Sequence, residues 1–349
     1  MRLPAELLEA IQQETEKIDR RKLALAATQL TEHYQSADFS SPAITSDAHR
    51  AAYLAVRFPA TYAAVRRALS EIRLRVPQAE INSLLDLGAG PGTVLFAASE
   101  EFALQQATMI EVDTDWLALA KRLAAQTSLP IAQTGKAAKD AQWLKQDLRS
   151  SLSSTAHDLV VISYTLGELP QAAADAVLRK AWSYTGKFLV IIEPGTMRGF
   201  AAVNTARSIL IASAGIASAA DNAAKIIAPC PHHLACPMAA ANDWCHFAQR
   251  VERTSQHRQL KGGTLGYEDE KFSYLIAAKP DALPAFAAAE SHASPNFSRI
   301  VRHPLKRSGY VQLSLCTPPG QIKNQTVTRS SKATYKSARQ SEWGDTWAE

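Results

Sequence analysis

The stretch Leu84-Leu85-Asp86-Leu87-Gly88-Ala89-Gly90-Pro91-Gly92-Thr93 decides how the rest of the 349-residue chain is read. It continues a short apolar run from Ile81 and ends in three closely spaced glycines, so it reads as a buried parallel strand, a tight bend and the start of a helix. Glycine permits positive φ and lets a ligand approach the backbone. In a dinucleotide site the same bend aims helix N–H groups at pyrophosphate. Here Asp86 would put a carboxylate beside those anions, so a cationic ligand suits the bend better. The G-x-G-x-x-G spacing is absent, whereas Asp-x-Gly-x-Gly-x-Gly after a strand is the more specific pattern.

Acids recur at the ends of the next strands. Ile110-Glu111-Val112-Asp113 closes a second strand (107–112) about twenty residues on, where a carboxylate can accept both hydroxyls of a ribose. Asp113 is the first candidate and Glu111 the runner-up. Asp147 follows a third strand near 143–146 and could meet an adenine amino group. Singly, each acid reads as an ordinary surface residue. In series they point to S-adenosylmethionine, which carries an ammonium and a sulfonium, held by Asp86, Gly88, Gly90, Gly92, Asp113 and Asp147.

Strands at 158–163 and 188–192 and helices at 116–125 and 199–213 continue the alternation. Strands at 272–278 and 310–315 complete an α/β, Rossmann-like, seven-stranded class I methyltransferase sheet. A helix is expected over 4–36 and another over 46–76, interrupted near Pro59, with a loop over 37–45 between them. The expected organisation is an N-terminal helical region (1–78), a methyltransferase core (79–217), a Cys-rich insertion before the sixth strand (218–266), the last core strands (267–319) and a basic extension (320–349). Tyr164 and Glu168, after the fourth strand, are candidate catalytic residues; helix capping explains Glu168 equally well. The Asn/Asp-Pro-Pro-Tyr motif of amino-directed methylases is missing, and no cysteine follows that strand to attack a pyrimidine.

Cys230, Cys236 and Cys245 crowd into sixteen residues, and Cys316 is the fourth and last cysteine. No uncharged apolar run reaches about 18 residues, so no membrane span is expected. The N-terminus lacks a secretory or Arg-rich transit pattern, which gives a cytoplasmic expectation and disfavours disulfides. Metal ligation then leads. The Cys-x5-Cys-x8-Cys spacing has no CxxC knuckle, so a four-iron cluster on all four thiols is the first reading; zinc with His232 or His246 is its rival, and unrelated buried thiols are the third. The net charge of +5 is uneven. Residues 299–349 hold nine Lys/Arg against three acids, leaving the first 298 residues at −1. A basic end suits a polyanion such as RNA, or is simply a solvated tail.

Several longer strings sharpen this. Arg57-Phe58-Pro59-Ala60-Thr61-Tyr62, the Asp86–Gly92 bend, Cys230-Pro231-His232 and Asp243-Trp244-Cys245-His246-Phe247 are followed by Glu268-Asp269-Glu270-Lys271-Phe272-Ser273-Tyr274. Pro304-Leu305-Lys306-Arg307, Cys316 and Trp343-Gly344-Asp345 complete the set. Together they resemble the Rsm-twenty-two (methyltransferase-like-seventeen) family of small-ribosomal-subunit assembly factors. The resemblance implies a methyltransferase-like fold, a four-iron, four-sulfur cluster on Cys230, Cys236, Cys245 and Cys316, and association with the small subunit and its ribosomal RNA. Without a transit peptide, a bacterial member is expected. Methyl transfer to RNA and a catalytically silent assembly role that retains the cofactor pocket remain alternatives, with small-molecule methylation a third.

Overall fold

Where one long N-terminal helix is expected, Asp19 makes two. Its Oδ1 accepts the Arg21 and Lys22 amides at 3.0 and 3.2 Å, so helix α1 (Ala5–Glu16) ends and α2 (Arg20–Ser36) begins on a side-chain cap. The computed structural model describes residues 1–36, 43–128, 130–131, 136–137, 141–152, 154–212, 224–283 and 297–348. Most of the 37–45 loop, Ser213 at the end of the 199–213 helix and residues 218–223 of the Cys-rich segment therefore lie outside the described residues. Ser46 accepts the His49 amide at 3.2 Å and starts α3 (Asp47–Val56). The chain breaks at Arg57, and α4 (Phe58–Arg75) carries Pro59 in its first turn, where a missing N–H costs nothing.

From there the chain alternates. Strand β1 (Ser83–Leu87) leads to α5 (Thr93–Glu101), β2 (Gln106–Glu111) and α6 (Thr114–Ala125). A short hairpin of β3 (Pro130–Ile131) and β4 (Lys136–Ala137) precedes β5 (Gln142–Lys145), β6 (His157–Ser163) and α7 (Gln171–Tyr184). Next come β7 (Thr185–Pro194), α8 (Met197–Ala212), β8 (Lys225–Ala228), α9 (Pro237–Ala240), β9 (Phe247–Glu252), α10 (Ser255–Lys261) and β10 (Tyr267–Ala278).

The chain divides into two compact units. One comprises residues 1–70, 80–184 and 249–270, the other 71–79, 185–248 and 271–349. In the first, four parallel strands run β5-β2-β1-β6, with Ser83 opposite Gln106 and Leu84 opposite Leu159. All five β1 residues are buried, which is why that strand reads as continuously apolar. In the second unit β10 is antiparallel to both β7 and β8. Leaving aside the β3–β4 hairpin and β9, the strands numbered along the chain run 3-2-1-4 in one unit and 5-7-6 in the other. This is the strand order of a Rossmann-like, class I S-adenosylmethionine-dependent methyltransferase fold.

The structure corrects two expectations here. The sixth strand is β8, so the cysteine segment follows it rather than precedes it; four residues, Lys225-Ile226-Ile227-Ala228, are too short a run to stand out after an alanine-rich stretch. Tyr310–Leu315 does not belong to the methyltransferase sheet. It lies in β13 (Tyr310–Cys316) of a separate five-stranded sheet with β11 (Ser298–Ile300), β12 (Leu305–Lys306), β14 (Ile322–Thr328) and β15 (Thr346–Trp347). Helix α11 (Lys332–Gln340) packs with it. Ile300, Val311, Leu313, Leu315, Val327, Ala338 and Trp347 form its core, so residues 320–348 are part of a folded body and not an appendage. Only Val327 of β14 is fully buried, and the strand's other residues, mostly exposed and polar, hid it. Among the described residues no helix is long and apolar enough to cross a membrane.

Candidate functional site

In the first unit a cleft of about 600 Å³ opens at the carboxyl ends of the parallel strands, lined by Gly88–Pro91, Glu111, Asp113, Trp116, Asp147, Tyr164 and Glu168. This is where such sheets bind ligands. Gly88, Gly90 and Gly92 have φ of 89°, 50° and 83°. A β-carbon on Gly88 would also collide with the Thr165 side chain, so the bend requires glycine twice over. Its amides are tied to the end of β2. Gly88 and Ala89 donate to the Ile110 carbonyl at 2.9 Å each, and Gly90 donates to Glu111 Oε2 at 2.8 Å.

The acids divide by role. Glu111 Oε1 accepts the Val112 and Asp113 amides at 2.8 and 2.9 Å, so both its oxygens serve the backbone of the bend. Asp113 caps α6, accepting the Asp115 and Trp116 amides at 2.7 and 3.2 Å, and also receives Arg50 Nη2 at 3.0 Å. Partial burial opposes its ionisation, but the hydrogen bonds from Arg50 and the helix amides prevail and hold its carboxyl below the usual carboxylate range. Asp147 is gripped by Arg149 at 2.6–3.0 Å, which takes its pKa down to about 2.

Asp86 stands apart. It is fully buried beneath the bend rather than in the cleft wall, and neither carboxylate oxygen has a hydrogen-bond partner among the described residues. Burial, and then the neighbouring Glu111, raise its pKa well above the ordinary value.

Tyr164 adopts a left-handed φ of 54°, a conformation that costs a non-glycine residue on the order of 1–3 kcal/mol. Its hydroxyl donates to Glu270 Oε1 at 3.0 Å, and Glu270 accepts both Arg57 amino groups at 3.0 and 3.2 Å. Burial, and then the Glu270 charge, push the Tyr164 hydroxyl far above its normal pKa, so it is no proton acceptor near neutrality. Tyr53 and Trp116 meet edge-to-face at 5.4 Å and, with Tyr34, make that side of the cleft aromatic. Arg50, Arg57 and Glu270 were missed as site residues. The last two stand within the quoted family strings, but nothing in their spacing pairs them.

In the second unit one cavity is lined by all four cysteines, His232, Arg207 and Arg299. Cys230 follows β8, Cys236 precedes α9, Cys245 precedes β9 and Cys316 ends β13. All four thiols are free. Burial raises the pKa of Cys230, Cys245 and Cys316, and repulsion from neighbouring thiols adds to it; Cys316 reaches about 12. Cys316 Sγ lies 3.4 Å from His232 Nε2.

Arg207 donates to the His232 carbonyl at 2.8 Å while its Nε is buried with no partner. Arg299 is bound to Glu71 at 3.0 Å, each side chain 1% exposed, and to the Pro229 and Gly344 carbonyls. Arg299 therefore leaves the set of solvent-facing cations expected at the basic end. Among the described residues no group of three or more His, Cys, Asp or Glu side chains is placed to hold a metal ion, so neither the expected iron–sulfur site nor its zinc rival is assembled in the Cys-rich segment.

Solved structures similar to the chain include a Synechocystis magnesium protoporphyrin IX methyltransferase with bound S-adenosylmethionine. It is 14% identical, with a TM-score of 0.38, over 63% of this chain and 80% of that one. A Bradyrhizobium japonicum N-methyltransferase is 12% identical, with a TM-score of 0.36, over 61% and 94%. Human mitochondrial ribosome assembly protein METTL17 is 31% identical over 84% of this chain and 61% of its own length. The Saccharomyces cerevisiae mitochondrial ribosome assembly protein RSM22 is 25% identical over 58% and 46%. The chain thus spans about half to three fifths of these curated relatives. Both are eukaryotic and mitochondrial, and neither supports the expected bacterial origin. The profile described as mitochondrial small ribosomal subunit Rsm22 matches residues 47–348, and the chain belongs to that family.

Proposed function

We propose that this protein binds S-adenosylmethionine in the cleft of its first unit and acts in small-ribosomal-subunit assembly, in contact with ribosomal RNA. The observation that carries the cofactor reading is Asp86. An unpartnered carboxylate sealed under a glycine bend is costly alone, and a cationic ligand on that bend would favour its ionised form. Asp113 would accept from the ribose, and Asp147, already charged, from the adenine amino group. Bound there, S-adenosylmethionine would supply an electrophilic methyl group. Calorimetry with S-adenosylmethionine tests the reading; no heat of binding by the wild-type chain would sink it.

Of the two roles for the cleft, Tyr164 favours the quiet one. Tyr164, one of the two candidate catalytic side chains, is committed to Glu270 and does not accept protons near neutrality, so methyl transfer would draw no base from it and would depend on orientation. A ribosomal RNA isolated from a deletion strain with the same methylation as wild type would support the silent role; one missing methyl group restored by the wild-type gene would establish the enzyme.

We infer that the four cysteines hold a four-iron, four-sulfur cluster, for which the space of about 30 Å³ between them would have to widen. Four thiols face one space, and the stranded Arg207 Nε supplies a donor with no acceptor of its own, as sulfur ligands would provide. Such a cluster would tie Cys316 to the segment of the other three cysteines. Anaerobic purification should give brown protein with stoichiometric iron; a colourless, zinc-rich preparation would overturn it. RNA contact falls to seven exposed cations, Lys306, Arg307, Lys323, Arg329, Lys332, Lys336 and Arg339, all on or beside the small sheet.

A further inference from the structure

We propose that Arg50, on helix α3, is the positioning residue for Asp113, fixing that carboxylate on the cleft wall as the ribose acceptor. The inference rests on the cofactor reading above and adds a residue to it. Arg50 is 8% exposed and is not itself part of the cleft lining. Its Nη2 lies 3.0 Å from Asp113 Oδ2, 3.4 Å from Oδ1 and 2.7 Å from Asp115 Oδ2, while Nη1 lies 3.2 Å from Asp47 Oδ1. Asp113 Oδ1 is thus filled by Arg50 and two helix amides, whereas Oδ2 has Arg50 as its one partner among the described residues. A carboxylate oxygen offers about two acceptor positions, so Oδ2 keeps capacity for a ligand hydroxyl.

The charges make Arg50 necessary. Asp47 on α3, Asp115 on α6 and Glu111 at the end of β2 all stand near Asp113, and Arg50 is the cation hydrogen-bonded among them. Without it, Asp113 faces its neighbours with only the helix amides to hold it. A second observation separates a positioning role from simple packing: the guanidinium also stands 6.0 Å from the Trp116 ring centroid, so one side chain orients both a carboxylate and an aromatic wall of the same cleft.

The test compares wild type, Arg50→Lys and Arg50→Met in the full chain. Two quantities are read: S-adenosylhomocysteine affinity across pH 5–8, and titration of the Asp113 carboxyl by carbon NMR. Arg50→Met should weaken binding at least about tenfold, the scale of one charge-assisted hydrogen bond. It should also move the acid limb of binding and the Asp113 titration to higher pH. Arg50→Lys keeps the charge without the planar fork and should fall between. A brace that merely joined α3 to α6 would lower the melting temperature and leave affinity and titration unchanged; that result in either variant overturns the proposal. Wild type that fails to bind the ligand at all sinks the cofactor reading instead, which distinguishes the two failures.

Discussion

Asp86 beneath the glycine bend and Arg207 beside the thiols are both buried and both have polar atoms without partners, yet their surroundings differ in kind. Asp86 adjoins a cleft of about 600 Å³ in which Glu111, Asp113 and Asp147 are held by backbone amides, Arg50 and Arg149. Arg207 adjoins a space of about 30 Å³ lined by four cysteines, none of them in a disulfide. A cleft that is preformed and charge-settled suits a ligand that comes and goes. A small space lined by four thiols suits a group built in as the chain folds. The two regions therefore predict opposite behaviour toward removal of what they hold.

The largest effect should come from Cys316→Ser. It should remove most of the iron from anaerobically purified protein, read by metal analysis, while S-adenosylmethionine affinity of the intact cleft stays within about twofold, roughly 0.4 kcal/mol. Disappearance of both together would break the comparison.

Next is Arg299→Met, which removes the fully buried cation of a cluster in the second unit and leaves Glu71 with Arg75, at 3.3 Å, as its cation. Breaking a buried pair from one side costs about 3–5 kcal/mol, so chemical denaturation should show a large drop. A change under about 1 kcal/mol, the range of exposed pairs, would mean that Arg75 alone satisfies Glu71.

For the cleft, Asp113→Ala should weaken S-adenosylmethionine binding by about tenfold to a hundredfold, about 1.4–2.8 kcal/mol, read by calorimetry. Unchanged affinity would remove the ribose assignment.

Asp86→Asn should have a smaller, pH-dependent effect. Because folding raises this carboxyl's pKa, its contribution to stability is fully present below the unfolded value of about 4 and is lost as pH rises through the folded value. The variant should match wild type in melting temperature near pH 4 and gain on it as the solution becomes alkaline. A gain that shrinks with rising pH would show that Asp86 has a hidden partner.

The smallest change concerns the small sheet. Glutamine at Lys306, Lys323, Lys332 and Lys336 should leave stability nearly unchanged. RNA affinity should fall, with the log–log salt slope reduced by about 0.7–0.9 for each phosphate that is no longer neutralised.

The bend, the acids at the strand ends and the four cysteines were legible because each is a local signal: glycine spacing, a carboxylate after an apolar run, a rare residue repeated. What was hidden depends on distant partners. Arg50 and Asp113 are 63 positions apart, and Arg299 and Glu71 are 228 apart, and neither pairing leaves a periodic trace. Strand β8 was too short to read, and β14 too polar. One clue was available: Arg207 interrupts the otherwise largely apolar Ala206–Ala212 stretch, and a cation there calls for an internal partner.

The fusion of Cys316 to the small sheet has a consequence for biosynthesis. Sequence order releases Cys230, Cys236 and Cys245 from the ribosome well before Cys316. The strand bearing Cys316 then pairs with β14, which is made later still, and with β11, which also pairs with β15. A nascent chain therefore carries three thiols with no fourth for a long interval of translation. Their protection from oxidants during that interval falls to cellular reductants, because the fold that shelters them is completed last.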